Sequence, residues 1–111
     1  MADDTGAQSA QAASQSPTPS APGTFSGKYY NTQKQIELSW NKLSRTDINK
    51  YQVLRYVGDV PDKSICITPA DTTLQYFCYD NQLTDKKYSY KLFADTNTGK
   101  RILVGTTEVN I

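Results

Sequence analysis

The chain has 111 residues, room for one domain with a modest core, and carries 12 basic against 11 acidic side chains for a formal net charge of +1. It holds no histidine and two cysteines, which excludes Ser-His and Cys-His nucleophilic chemistry and leaves a poor zinc set. No apolar run reaches the ~18 residues needed to span a membrane, and the basic residues form no stripe or patch of the kind that holds nucleic acid.

Residues 1–22, MADDTGAQSAQAASQSPTPSAP, contain no aromatic residue and no Val, Leu or Ile. Such a segment buries too little apolar surface to offset its ordering entropy. It is predicted to be a disordered Ser/Ala/Pro-rich tail or interdomain linker, stiffened locally by Pro17, Pro19 and Pro22; the functional alternative is a disordered binding peptide. MADDTG lacks the charged and apolar regions of a signal peptide and reads as a mature start behind an added Met. Residues 23–111 are different material. They hold every Tyr, Phe and Trp and every Lys and Arg of the chain.

The predicted elements are short and extended. FSGKYY (25–30) is a first strand, weakened by Gly27, and NTQ (31–33) a turn. In QIELSWNK (35–42), Ile36, Leu38 and Trp40 point one way and Glu37 and Ser39 the other, the period of a half-buried strand. After the polar loop SRTDIN (44–49), KYQVLRYVG (50–58) sets Tyr51, Val53 and Arg55 against Gln52, Leu54 and Tyr56. GDVPD (58–62) breaks that strand, and KSICIT (63–68) is a short β-branched one. PADTT turns into the aromatic strand LQYFCYD (74–80), and NQLTDK makes a corner. KYSYKLFAD (87–95) alternates Tyr88, Tyr90, Leu92 and Ala94 with Ser89, Lys91 and Phe93. TNTGK (96–100) is a hairpin loop, and RILVGTTEVNI the last strand, with Gly105 at a bulge or bend. No segment keeps a helical period over ten residues. Seven strands with turn signals every ~8–12 residues make an all-β sandwich.

Five motifs occur in order: PGTF with Pro22 and Phe25, IELSW, YQVLR, YDNQL with Asp80 and Leu83, and YSYKLFA. With them, the stretch from Pro22 to Ile111 resembles a fibronectin type III domain. It departs from that family in the corner LTDKKY, one residue shorter than the usual Leu-x-Pro-Gly-x-x-Tyr, and in its cysteine pair. The resemblance implies a seven-stranded immunoglobulin-like β-sandwich in which strands one, two and five pack on strands three, four, six and seven. Trp40 would lie between the sheets, and the Tyr88 hydroxyl would make the hydrogen bond that fixes the corner. The expected core is Phe25, Ile36, Leu38, Trp40, Tyr51, Val53, Tyr76, Leu83, Tyr88, Tyr90, Leu92, Ala94 and Val109.

No residues suggest catalysis, and neither a cofactor nor a resident metal is expected. The aspartates, Asp80 among them, fall mostly in turns, where Asp bends and caps the backbone. Asp59 and Asp62 could share a calcium ion, but two carboxylates are thin for a site that wants six or more oxygens. The spacing of Cys66 and Cys78 suits a disulfide across a strand-loop-strand unit, with two packed free thiols as the alternative. The bond depends on register. Cys66 turned inward meets Cys78 and sends Ile65 and Ile67 outward; isoleucines turned inward leave Cys66 in solvent. By parity, Leu54, Tyr56 and Phe93 face away from the core on one sheet and Phe77 and Tyr79 on the other, joined by Tyr29 or Tyr30. These are the candidate partner surface, with cross-strand stabilisation as the alternative. The expected function is a non-catalytic interaction or spacer module of a secreted or cell-surface protein, monomeric in isolation, meeting a protein partner or a neighbouring domain. The alternatives are an accessory carbohydrate-binding module of a secreted polysaccharide-degrading enzyme, which would take a polysaccharide, and a structural subunit of a virion or pilus-like assembly.

Overall fold

Alternation of apolar and polar side chains is converted into seven strands: β1 Phe25–Tyr30, β2 Gln35–Asn41, β3 Ile48–Val57, β4 Val60–Pro69, β5 Gln75–Asp80, β6 Lys87–Thr96 and β7 Arg101–Asn110. The computed structural model describes residues 24–111, so the expected tail, residues 1–22, lies outside the described residues. Two antiparallel sheets form, one of order β1-β2-β5 and one of order β4-β3-β6-β7, and no helix occurs among the described residues. This is the two-sheet division that the resemblance implies.

The inward faces close on one core. Ile36, Leu38, Trp40, Tyr51, Val53, Tyr76, Cys78, Tyr88, Tyr90, Leu92, Ala94 and Val109 are buried, and Phe25 and Leu83 pack against them half-buried. The Trp40 ring stacks on Tyr76 at 5.5 Å between centroids and meets Tyr51 at 5.7 Å and the edge of Phe25 at 6.3 Å. The buried tyrosines keep their hydroxyls satisfied, as large rings with a polar tip must: Tyr51 accepts from the Leu43 N–H at 3.1 Å and Tyr76 from the Asp71 N–H at 3.1 Å. Tyr88 accepts from the N–H groups of Thr84 and Asp85 at 2.7 and 2.8 Å, the corner bond expected of it.

β4 departs from the sequence reading in two places. β4 starts at Val60 rather than Lys63, straight after the two residues Gly58–Asp59, where Gly58 takes φ +62°. Pro61 lies inside the strand, which is tolerated because β4 is an edge and the pairing shifts between Arg55 and Tyr56. Ile65 does not face outward: a second shift places Val53 opposite Cys66 and Leu54 opposite Ser64, so Ile65 is the extra residue of a bulge and packs against the core. Ile67 does face outward, 57% exposed. On β7 the pairing slips beside Gly105, as expected. Gly27 in β1 has a packing reason: a Cβ there would stand 2.8 Å from Val109 Cγ2.

Candidate interaction surface

Cys66 and Cys78 are bonded, with Cα atoms 6.4 Å apart, and the bond ties the edge strand β4 of one sheet to the edge strand β5 of the other. The condition on register is met by the bulge at Ile65, which lets Cys66 and Val53 share the inward face.

A buried polar cluster links β3, β4 and β5, and parity hinted at it only through Arg55. The Arg55 side chain is 7% exposed and that of Asp80 2%. Arg55 donates to Asp80 at 2.9 Å, to Asp62 at 2.6 Å and to the Gln82 carbonyl at 2.8 Å, and its guanidinium lies 4.5 Å over the Tyr88 ring. Tyr90 donates its phenol to Asp80 at 2.8 Å. Burial first, and then this bond to the carboxylate, push the Tyr90 phenol far above its ordinary range. Burial opposes the Arg55 charge, but the two carboxylates more than offset it and raise its pKa. Asp80 is therefore a buried ion-pair partner as well as a turn residue, since its carboxylate also accepts from the Gln82 N–H at 3.2 Å. Asp62 pairs with Arg55, and the described residues contain no group of three or more His, Cys, Asp or Glu side chains placed to hold a metal ion.

The outer face of the four-stranded sheet carries Leu54, Tyr56 and Phe93, all half-buried rather than open. Arg101 lies 5.1 Å over the Phe93 ring and Lys91 4.8 Å over Tyr56. Arg101 also donates to Asp95 and, at 2.7 Å, to Gln52, and Gln52 donates to Ser64. The cations cap the rings, a geometry that fits cross-strand stabilisation, the alternative weighed against a partner surface. The open apolar side chains here are Ile67 on β4 and Leu103 on β7, at the two ends of the row Ile67, Gln52, Phe93, Leu103.

The three-stranded sheet differs. Phe77 and Tyr79 on β5 are 49% and 53% exposed, and Tyr30 rather than Tyr29 joins them, because Tyr29 packs against the core. Tyr30 and Tyr79 donate to the two carboxylate oxygens of Glu37 at 3.2 and 3.3 Å. Partial desolvation and then the Glu37 charge raise both phenols. Lys28 stands 5.1 Å over the Tyr30 ring, and Ser26 and Ser39 hydrogen-bond to each other at 3.3 Å. Sequence reasoning left Glu37 out of this face; the signal was its parity in β2, opposite to Trp40.

No family model matches the chain, and no curated protein matches it. Solved structures do. A fibronectin type III-like protein from Clostridium thermocellum is 21% identical over 77% of this chain and 84% of its own, with a TM-score of 0.55. The chain has a fibronectin type III-like fold. The pectate lyase Pel3 from Pectobacterium carotovorum matches 78% of the chain at 10% identity and a TM-score of 0.60. The pectate lyase PelI from Erwinia chrysanthemi, solved in complex with tetragalacturonic acid, matches 77% at 12% identity and a TM-score of 0.56. The chain spans only about a quarter of the length of these two lyases, 26% and 28%. At such identities the likeness is one of fold, and the fibronectin type III-like sandwich is what all three share with this chain.

Proposed function

We propose that the domain is a non-catalytic interaction module of an exported protein, joined through residues 1–22 to a neighbouring domain. The observation that carries this reading is the open aromatic pair Phe77 and Tyr79 on the outer face of the three-stranded sheet, beside a disulfide that suits an oxidising compartment. The outward aromatic residues of the other sheet, Tyr56 and Phe93, are capped by cations, which favours a role within the sheet. Placing a photo-crosslinker at position 77 of the protein in its source cells tests this: the protein is expected outside the cytosol, oxidised at Cys66 and Cys78, and cross-linked to a partner chain. A reduced cytosolic protein with no cross-link at 77 beyond that at Glu108 would end the reading.

A second reading, an accessory polysaccharide-binding module, is favoured by the Tyr30–Glu37–Tyr79 cluster, which sets rings beside a carboxylate able to accept sugar hydroxyls, and by the fold shared with parts of two pectate lyases. Retention on insoluble polygalacturonate or cellulose, lost in Tyr79→Ala, would select it; passage of the wild type without delay would remove it.

A further inference from the structure

Among the described residues the sandwich has four edge strands, β1, β5, β4 and β7, and they are not equally protected. Natural sheets blunt their edges with bulges, prolines and charges, because an open edge presents unpaired N–H and C=O groups to any other strand. β4 carries two bulges, Pro61, Lys63 and Pro69; β7 carries a bulge, Arg101 and Glu108; β1 carries Gly27 and Lys28. β5, Gln75–Asp80, has no bulge, no proline and no exposed charge, since its single charged residue, Asp80, is buried against Arg55.

The hydrogen-bond phase shows which backbone groups of β5 are turned outward. The Lys42 N–H donates to the Leu74 carbonyl at 2.9 Å, one step beyond the pair Asn41–Gln75. In an antiparallel ladder the bonded pairs recur every second residue, so Leu74, Tyr76, Cys78 and Asp80 direct their backbone groups at β2. On the other side of β2 the bond from the Asn41 N–H to the Thr24 carbonyl demands the same phase. Gln75, Phe77 and Tyr79 therefore aim their N–H and C=O groups at the open edge, and their side chains are the exposed ones of the strand.

From this we infer that β5 pairs with β5 of a second copy of the chain, antiparallel about a two-fold axis through Phe77. This rests on the reading of the domain as an interaction module and names its partner. The three outward residues are evenly spaced about Phe77, so the pairing sets Phe77 against Phe77 of the second copy, and Gln75 and Tyr79 of each chain against Tyr79 and Gln75 of the other. Each of these is a bonded pair in the right phase. No like charges meet across the axis, and the aromatic side chains of both copies lie on one face, where such cross-strand pairs are favourable. The product is a six-stranded sheet, β1-β2-β5 continued by β5-β2-β1, an isologous contact that closes on itself. It departs from the monomer expected from the sequence.

Sedimentation equilibrium of the full chain from micromolar to millimolar concentration tests the pairing, with amide exchange read at Gln75, Phe77 and Tyr79. The expected result is an average mass rising towards twice that of the chain, with exchange at those three amides slowing as concentration rises. Phe77→Lys and Tyr79→Lys, both at exposed positions, should return the mass to that of one chain, while Leu103→Lys on the other sheet should leave association intact. A single-chain mass at every concentration would overturn the inference, as would association that survives both β5 variants or is lost with Leu103→Lys. A chain that stays single yet cross-links through position 77 to a foreign protein would remove the self-pairing and keep the module reading.

Discussion

Replacing Arg55 by Met should be among the most destabilising single changes in the domain. The guanidinium is almost fully buried and Asp80 more so, and Asp80 has only the Tyr90 phenol and, at 3.2 Å, the Gln82 N–H as further partners. Removing the cation leaves a buried carboxylate without a counter-charge and the Gln82 carbonyl without its 2.8 Å donor. Breaking a buried pair in this way costs about 3–5 kcal/mol. A domain of the described 88 residues has about 4–13 kcal/mol to lose, so the variant should sit near the edge of folding. In urea the midpoint should fall by about 2–3 M, for a slope of ~1.5 kcal/mol/M, followed by Trp40 fluorescence. Asp62 decides little: its side chain is 35% exposed, and Asp62→Asn should cost about 1 kcal/mol or less. The triple change Arg55→Met, Asp80→Leu, Tyr90→Phe removes the stranded charge and should recover most of the about 3–5 kcal/mol lost by Arg55→Met alone. An Arg55→Met midpoint within ~1 kcal/mol of the wild type, or a triple variant no more stable than the single one, would refute the argument.

Cys66 and Cys78 are 12 residues apart, and closing a loop of that size restricts the unfolded chain by about 3 kcal/mol. Cys66→Ala/Cys78→Ala should lose that amount in urea and become indifferent to reductant, whereas an unchanged midpoint would mean the bond constrains nothing. Acid should destabilise the fold partly through Asp95, whose hydrogen bond and charge contact with Arg101 hold its carboxyl below the ordinary 3.8. A depressed folded-state pKa contributes stability in full above the unfolded value, and that stability is lost as pH falls through the folded value. Asp95→Asn should therefore flatten stability against pH in the window just below 3.8; an acid limb identical to that of the wild type would contradict this.

Strand identity and most of the core were legible in the sequence, because a period of two assigns each residue to a face without reference to anything distant, whereas the membership of the two sheets came from the resemblance to the fibronectin type III pattern. Trp40, Tyr88 and the run Tyr88, Tyr90, Leu92, Ala94 could be placed from their neighbours alone, and so could the outward parity of Phe77 and Tyr79. Which residue meets which across the sandwich was not legible. That Ile65 packs inward while Cys66 reaches Cys78 follows from a bulge that exists only because β3 and β4 pair out of step. Asp80 looked like one more turn aspartate until Arg55, 25 residues earlier, was brought onto it. Leu54, Tyr56 and Phe93 were placed on the outer face of their sheet, yet the capping of Tyr56 by Lys91 and of Phe93 by Arg101 depends on strands meeting in one register. Alternation is a local property of the backbone, whereas an ion pair, a bulge or a capped ring depends on the register between strands far apart in the chain, and only the folded sheets set that register.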